Sequence, residues 1–394
     1  EVAGEGRRRE GPPPQMDRVT LGTFHSVCAK ILRWNGAELA ELPRVRAAAA
    51  GGGGGGPTSS SSSSSSVPPV PLDGSFAIVD QSDQMRILKD CLRQCGIDLK
   101  EEGGGGGGAA IRPITVLNAV GQLRAEDADS ALDLDGGVLG GGAPSGGGGA
   151  TKMSRKVRRI AEAVYPRYTR ELLRNNSLDF DDLILLARDL LHSRPDVRDR
   201  LRRRWAHVLV DEFQDTSRAQ LDLVKLLTTD SLLVVGDGDQ SIYSWRGAYA
   251  ESMADFAAEF GGAASSTEAA GVETCFLMEN YRSTTNIVRA AQRVINDPKG
   301  GGSRSRTAEA SVRQDMKPMR PRGPNPRVLA CADAKAEAAR VVGIVHEMVG
   351  AGELTPESTV AFIYRTNSQS RALEEECVSQ NLRYLVRGSA GNFY

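Results

Sequence analysis

Cysteine, histidine and aromatic residues are all scarce in this chain, and neither sign of charge dominates it. Its six cysteines (28, 91, 95, 275, 331 and 377) form no CxxC pair, and there are only four histidines. That pattern excludes a disulfide scaffold and a zinc-ligand spacing, and leaves reduced thiols in an intracellular protein as the plain expectation. A formal net charge of −1 means that no global basic field announces a nucleic-acid partner; any such contact has to come from local patches. No apolar run approaches the length of about 18 residues that a membrane span needs. The opening EVAGEGRRREGPPPQMD resembles neither a signal peptide nor an amphipathic transit peptide, and residues 1–18 are expected to be disordered. Also missing is any GxxxxGK[ST], or even a Gly-Lys pair, the sequence with which a backbone loop cradles phosphates.

What is present is an ordinary globular composition, 40% apolar and 25% charged, over a length that fits two or three domains. The informative stretch runs from Trp205 to Ala248. An apolar, β-branched run (Val208, Leu209, Val210) stops at Asp211 and Glu212. A helical pattern with Leu221, Val224 and Leu227 follows, and a second buried-type run, Leu232 to Val235, stops at Gly-Asp-Gly-Asp-Gln. Strand, acidic loop, helix, strand, acidic loop is the alternation of a parallel α/β sheet, in which ligands sit beyond the carboxyl ends of the strands.

Two adjacent acids at a strand tip suit phosphoryl transfer, one holding Mg²⁺ and the other orienting or deprotonating water. Asp211 is the candidate for the metal and Glu212 for the water. A lone Asp-Glu after a strand is more often a solvated turn, but the second cluster shifts the balance. Gln240 can bond a terminal phosphate without adding negative charge. Tyr243, Trp245 and Arg246 then mix aromatics with a cation, as base-stacking and phosphate-contacting pairs do. The alternative for Trp245 is a core aromatic, which its Ser, Arg and Gly neighbours oppose.

DEFQDT followed by VVGDGDQSIYSWRGA resembles motifs II and III of the UvrD/Rep-type superfamily 1 DNA helicases. The resemblance implies an α/β fold of RecA-like P-loop NTPase motor domains, parallel sheets flanked by helices, with a helical insert in the first. It also implies ATP and Mg²⁺ as cofactors, single-stranded and duplex DNA as partners, and translocation 3′ to 5′. Further segments fit the same family. TFHSVCAKILR resembles motif Ib, which would put Thr23 and His25 on the DNA backbone; read alone, Thr23 is as well explained as a helix cap. SLDFDDL resembles a motif whose aromatic, here Phe180, touches single-stranded DNA; a packed core residue is the equal alternative. NYRSTTNI resembles motif IV, with Arg282 as an arginine finger to the γ-phosphate and Tyr281 beside the adenine; a surface salt bridge is the alternative for Arg282. FIYRTNSQSRALEE resembles a further motif that would set Arg365 and Asn367 near the DNA track.

The domain reading follows. Residues 19–46 and 177–265 form part of a first motor domain, 67–176 a helical insert interrupted by Gly-rich loops, and 272–394 part of a second motor domain. The Ala, Gly and Ser tracts between 47 and 71, at 103–108 and at 136–149 cannot bury a core and are expected as flexible loops. They hint at a eukaryotic source, hence a nucleus or an organelle. Val19 to Leu21 is expected as a short strand before the motif Ib helix. Strands are expected before NYRS and at RVLACAD, TVAFIYR and LRYLVRG, and a loop over 299–326. The basic runs Ser154–Arg159 and Arg198–Arg204 read as solvated helix faces. The absent phosphate loop, adenine-reading motif and motifs Ia, V and VI imply a partial motor that hydrolyses ATP poorly. The competing class is a module that binds single-stranded DNA without turnover, and a weaker third is the helicase part of a helicase–nuclease.

Overall fold

The structure is a computed structural model and describes residues 19–50, 72–99, 111–133, 153–229, 231–241, 256, 272–296, 316–355 and 357–387. The N-terminal segment and most of the low-complexity tracts lie outside them. The chain forms two compact units, Glu1–Thr274 and Cys275–Tyr394.

In the first unit, α1 (Phe24–Trp34) starts at Thr23, whose hydroxyl accepts from the Ser26 amide, and buries Cys28, Ala29, Ile31 and Leu32 along one stripe. That stripe packs on α6 (Phe180–Ser193), where Leu183, Leu186 and Leu190 recur at helical period and are buried. A capping box between Asp179 and Asp182 opens α6. Helices α2 (Pro43–Ala50) and α7 (Pro195–Arg204) close the same core through Val45, Val197 and Leu201.

A second core belongs to α3 (Gln81–Gln94), α4 (Pro113–Asp133) and α5 (Arg155–Arg174), built on Leu88, Leu92, Val116, Val120, Ile160 and Val164. The last turn of α5 joins the two: Leu172 packs in the second core and Leu173 in the first. Where the chain enters and leaves this helical section, β1 (Ala77–Ile78) pairs in parallel with β2 (Ser177–Leu178). The thiol of Cys28 is buried and pushed up to about 12, and that of Cys91 to about 11, so both are inert hydrophobes.

The central sheet is β3 (His207–Val210) beside β4 (Ser231–Val234), parallel, with Val208 opposite Leu232 and Val210 opposite Val234. Helix α8 (Arg218–Leu227) is the crossover, and its Leu221 and Val224 cover one face together with Phe213. Both strands are where the sequence puts them, but the expectation of fully buried runs is corrected. Leu209 is 71% exposed and Leu233 54%, because among the described residues only one face of this pair is covered. Residues 19–22 are also not a strand. No ladder partner reaches them among the described residues; Leu21 is exposed, and Thr20 instead accepts from the Trp205 indole at 3.0 Å.

The second unit contains β5 (Glu279–Thr284) parallel to β6 (Lys317–Arg320), with a register irregularity between Asn280 and Thr284. Helix α9 (Thr285–Ile295) follows β5 directly. Helices α10 (Ala334–Gly350) and α11 (Ser370–Ser379) stand at the expected positions and bury Ala338, Val342, Val345 and Cys377. Three expectations are corrected here. The strand contains NYRST instead of preceding it, leaving Phe276 and Leu277 exposed. The expected loop contributes β6, whose Pro318 is tolerated on a short edge strand. Among the described residues of RVLACAD, TVAFIYR and LRYLVRG no strand forms, and Val328 and Ile363 are almost fully exposed.

Candidate functional site

Both acidic loops leave the carboxyl ends of neighbouring parallel strands, Asp211 and Glu212 after β3 and Asp237 to Gln240 after β4. The ladder continues one step into the loops: the Val235 amide donates to the Val210 carbonyl at 2.8 Å, and the Phe213 amide to the Val235 carbonyl at 3.0 Å. Phe213 is fully buried and anchors the first loop from below.

The residue that ties the two loops together is one the sequence reading passed over. Gln214 is only 3% exposed, although it is polar and sits in a loop. Its Nε2 donates to the Glu212 carboxylate at 2.7 Å and its Oε1 accepts from the Asp237 amide at 3.0 Å. One side chain thus satisfies a charged acceptor on the first loop and a backbone donor on the second. Within the second loop, Asp237 accepts from the Asp239 amide at 3.0 Å and from Gln240 Nε2 at 2.8 Å. Replacing Gln214 by alanine removes both bonds, the one within the first loop and the one to the second, and is expected to cost about 2 kcal/mol in urea unfolding. Glu there should be worse than Ala, since it sets a carboxylate against Glu212.

Glu212 itself has φ of 50° and ψ of 43°, the left-handed region that a residue with a Cβ avoids. Such backbone strain persists only where the surroundings enforce it, and it concentrates at functional sites. The enforcing bonds are the Glu212 amide to Asp211 Oδ1 at 3.0 Å and the Gln214 bond to the Glu212 side chain. Burial, and then the negative charge of Glu212, raise the Asp215 carboxyl; its Oδ1 is buried without a hydrogen-bond partner. Among the described residues no group of three or more ligands encloses a metal position. Mg²⁺ that serves phosphates needs only one or two carboxylates, and the exposed Asp211 at the strand end fits that donor set.

A second cluster lies at the N-termini of α1 and α6. His25 and Phe180, singled out from separate motifs, meet edge to face with ring centroids 5.5 Å apart. Phe180 is 47% exposed, so it is not a packed core residue. Burial lowers the His25 pKa, against the opposing charge of Asp181, so the imidazole is neutral at pH 7. Thr23 is a helix cap, with its hydroxyl on the Ser26 amide at 3.3 Å.

Beneath Phe180 lies an ion cluster that the sequence reading also missed. Arg124 of α4, 2% exposed, donates to both oxygens of Asp179 at 2.8 and 2.7 Å and reaches Asp182 at 3.3 Å. Tyr168 of α5 donates to the same Asp179 at 3.2 Å. The start of α6, and with it Phe180, is thereby locked to the helical section. The only signal for this in the sequence is an arginine on an otherwise apolar helix face.

The remaining candidates lie in the second unit or outside the described residues. Tyr281 and Arg282 lie on β5 of the second unit, both exposed, the Tyr281 hydroxyl donating to Glu279. Arg365 and Asn367 lie at the exposed turn before α11, where the Arg365 amide donates to Gln369 at 3.0 Å. Tyr243, Trp245 and Arg246 fall outside the described residues.

Comparison with known proteins adds the following. Residues 5–261 match the UvrD/REP helicase N-terminal domain, and residues 275–394 the UvrD-like helicase C-terminal domain. The chain is 32% identical over 383 residues to ATP-dependent DNA helicase UvrD1 of Mycobacterium tuberculosis, an overlap of 95% of this chain and 40% of that protein. To ATP-dependent DNA helicase PcrA of Bacillus subtilis it is 29% identical over 385 residues, 97% of this chain and 41% of that one. The chain therefore spans about two-fifths of the length of the relatives it matches. Among the described residues no helix is long and apolar enough to cross a membrane.

Proposed function

This chain belongs to the UvrD/Rep-type helicase family, with its RecA-like fold, and from that premise we propose that it acts in ATP-driven movement along, and unwinding of, DNA. The observation that carries this reading is the pair of acidic loops at the ends of adjacent parallel strands, clasped by Gln214. Asp211 is the residue to hold Mg²⁺, which when bound screens the phosphate charge. Glu212, exposed and held by strained backbone, orients the attacking water and takes its proton. Gln240 stands one hydrogen bond from the same loop core and reports the terminal phosphate through Asp237. Arg282 and Tyr281 supply charge and an aromatic face to the nucleotide, a role that rests on their motif. On the strand side, Thr23, His25 and Phe180 are assigned to contact DNA, and Tyr243, Trp245, Arg246, Arg365 and Asn367 are assigned the same role on their motifs alone.

A second reading has its own support: these 394 residues contain no GxxxxGK[ST] to cradle the β- and γ-phosphates. It is a module that binds single-stranded DNA without turnover. ATP hydrolysis with and without single-stranded DNA, beside Glu212→Gln, separates the two. DNA-stimulated turnover that falls about 10²–10⁴-fold in the variant supports the motor. Strand binding with no turnover in either protein supports the module.

A further inference from the structure

The basic run Arg198–Arg204, a solvated face on sequence grounds, forms one wall of a cleft of about 590 Å³ in the first unit. The opposite wall is the end of α1 and the turn that follows it, and the lining includes Trp34, Asn35, Gly36, Glu38, Arg200 and Arg204. Not every arginine of α7 takes part. Arg202 is used internally, donating to the Leu226 carbonyl at the end of α8 at 2.8 Å. Arg200 and Arg204, one helical turn apart, both line the cleft, and neither has a carboxylate partner among the described residues.

The cleft is built rather than incidental. Arg204 lies 5.1 Å from the centre of the Trp34 ring, and Trp34 is itself 50% exposed. Asn35 is 6% exposed; its amide donates to the Ile31 carbonyl at 2.7 Å, which leaves its oxygen to accept from Arg200 and fix that guanidinium. Glu38, the acid in the lining, is paired with Arg194. Gly36 forms part of the lining hard against Gly74, where an added Cβ would stand 2.3 Å from the Gly74 nitrogen. The result is a half-exposed indole, with Arg204 over its ring and the Trp205 ring tilted beside it at 6.2 Å, two preset guanidiniums and no unpaired acid, in a space typical of small-ligand sites. Aromatic face plus phosphate donors is the chemistry of a nucleotide in a strand, whereas an acidic peptide would call only on the cations.

We propose that this cleft is a second site for single-stranded DNA, a base stacking on Trp34 and the flanking phosphates meeting Arg200 and Arg204. It rests on the reading that the chain binds strands, but not on the same surface. His25 and Trp34 stand at opposite ends of α1, about 14 Å apart along the helix axis at 1.5 Å per residue.

The test is the stoichiometry of a thymidine strand of about eight nucleotides, short enough for one site, titrated calorimetrically into the full chain. Two strands per chain are expected for the wild type and for Trp34→Phe, which keeps an aromatic face. One is expected for Trp34→Ala and for Arg200→Gln/Arg204→Gln; the latter replaces two exposed residues by glutamines, which keep a donor for Asn35, and so keeps the test valid if Trp34→Ala fails to fold. One strand per chain in the wild type, weakened by Phe180→Ala and untouched by the cleft substitutions, overturns the cleft and leaves the functional reading standing. No strand binding by the wild type overturns both. Displacement of the cleft-bound strand by oligoglutamate at equal charge concentration overturns the assignment to nucleic acid.

Discussion

Replacing Arg124 by alanine is expected to destabilise the first unit by about 3–5 kcal/mol, read as a large drop in the urea midpoint. The guanidinium is buried at 2% exposure and is the countercharge for Asp179 and Asp182, themselves 4% and 5% exposed. Removing it leaves buried carboxylates without compensation, which is far more costly than the net worth of the intact cluster. It also removes the stacking of Arg124 against Tyr168, 5.3 Å from ring centre to guanidinium. The cluster has a pH signature of its own. Burial pushes the Asp182 carboxyl up to about 7, with Arg124 pulling it down and Asp179 adding to the rise. A carboxyl that binds its proton more tightly folded than unfolded contributes stability in full below about 4 and loses it as pH climbs through about 7. Stability should therefore fall as pH rises from about 4 to about 7, and Asp182→Asn, which cannot ionise, should flatten that slope.

Phe180→Ala is expected to weaken binding of a single-stranded oligonucleotide about 5- to 150-fold, the loss of one base-stacking contact of about 1–3 kcal/mol. The ring is half exposed at the first residue of α6, against the edge of His25, so it has little packing to lose. Thermal stability should change by less than about 1 kcal/mol, and Phe180→Tyr should retain affinity. A core role would reverse this pattern, with a large stability loss and strand affinity following only the fraction folded. Arg124→Ala connects the two predictions: it frees the start of α6, so strand affinity should fall in a variant that touches no DNA.

Periodicity and strand-end chemistry made much of this legible in advance. The runs Val208–Val210 and Leu232–Val235 are apolar and β-branched enough to be strands, and what stops them is carboxylate, which no buried strand accommodates. Helices α1, α5, α6, α10 and α11 carry apolar residues at helical spacing with a cap at most starts. What was not legible depends on partners distant in the chain. RVLACAD and TVAFIYR have strand composition, but a strand exists only where a ladder partner lies alongside, and composition does not say where that is. Gln214 gives no local signal of its role, because the backbone amide it holds, that of Asp237, lies 23 residues further along the chain. Arg124 and Asp179, 55 residues apart, give no local signal of pairing. Glu212 in the left-handed region is likewise set by bonds across the loop and not by its own preference.

The measurement that bears most directly on the central claim is strand binding by the 394-residue chain as salt is raised. Net charge is −1, so binding must come from a local surface holding particular phosphates. The expected result is tight binding at low salt, with log K falling linearly against log salt at about 0.7 per phosphate held, and a slope of at least 2. Absence of binding at low ionic strength, or binding indifferent to salt, would contradict the proposal that this chain works on DNA.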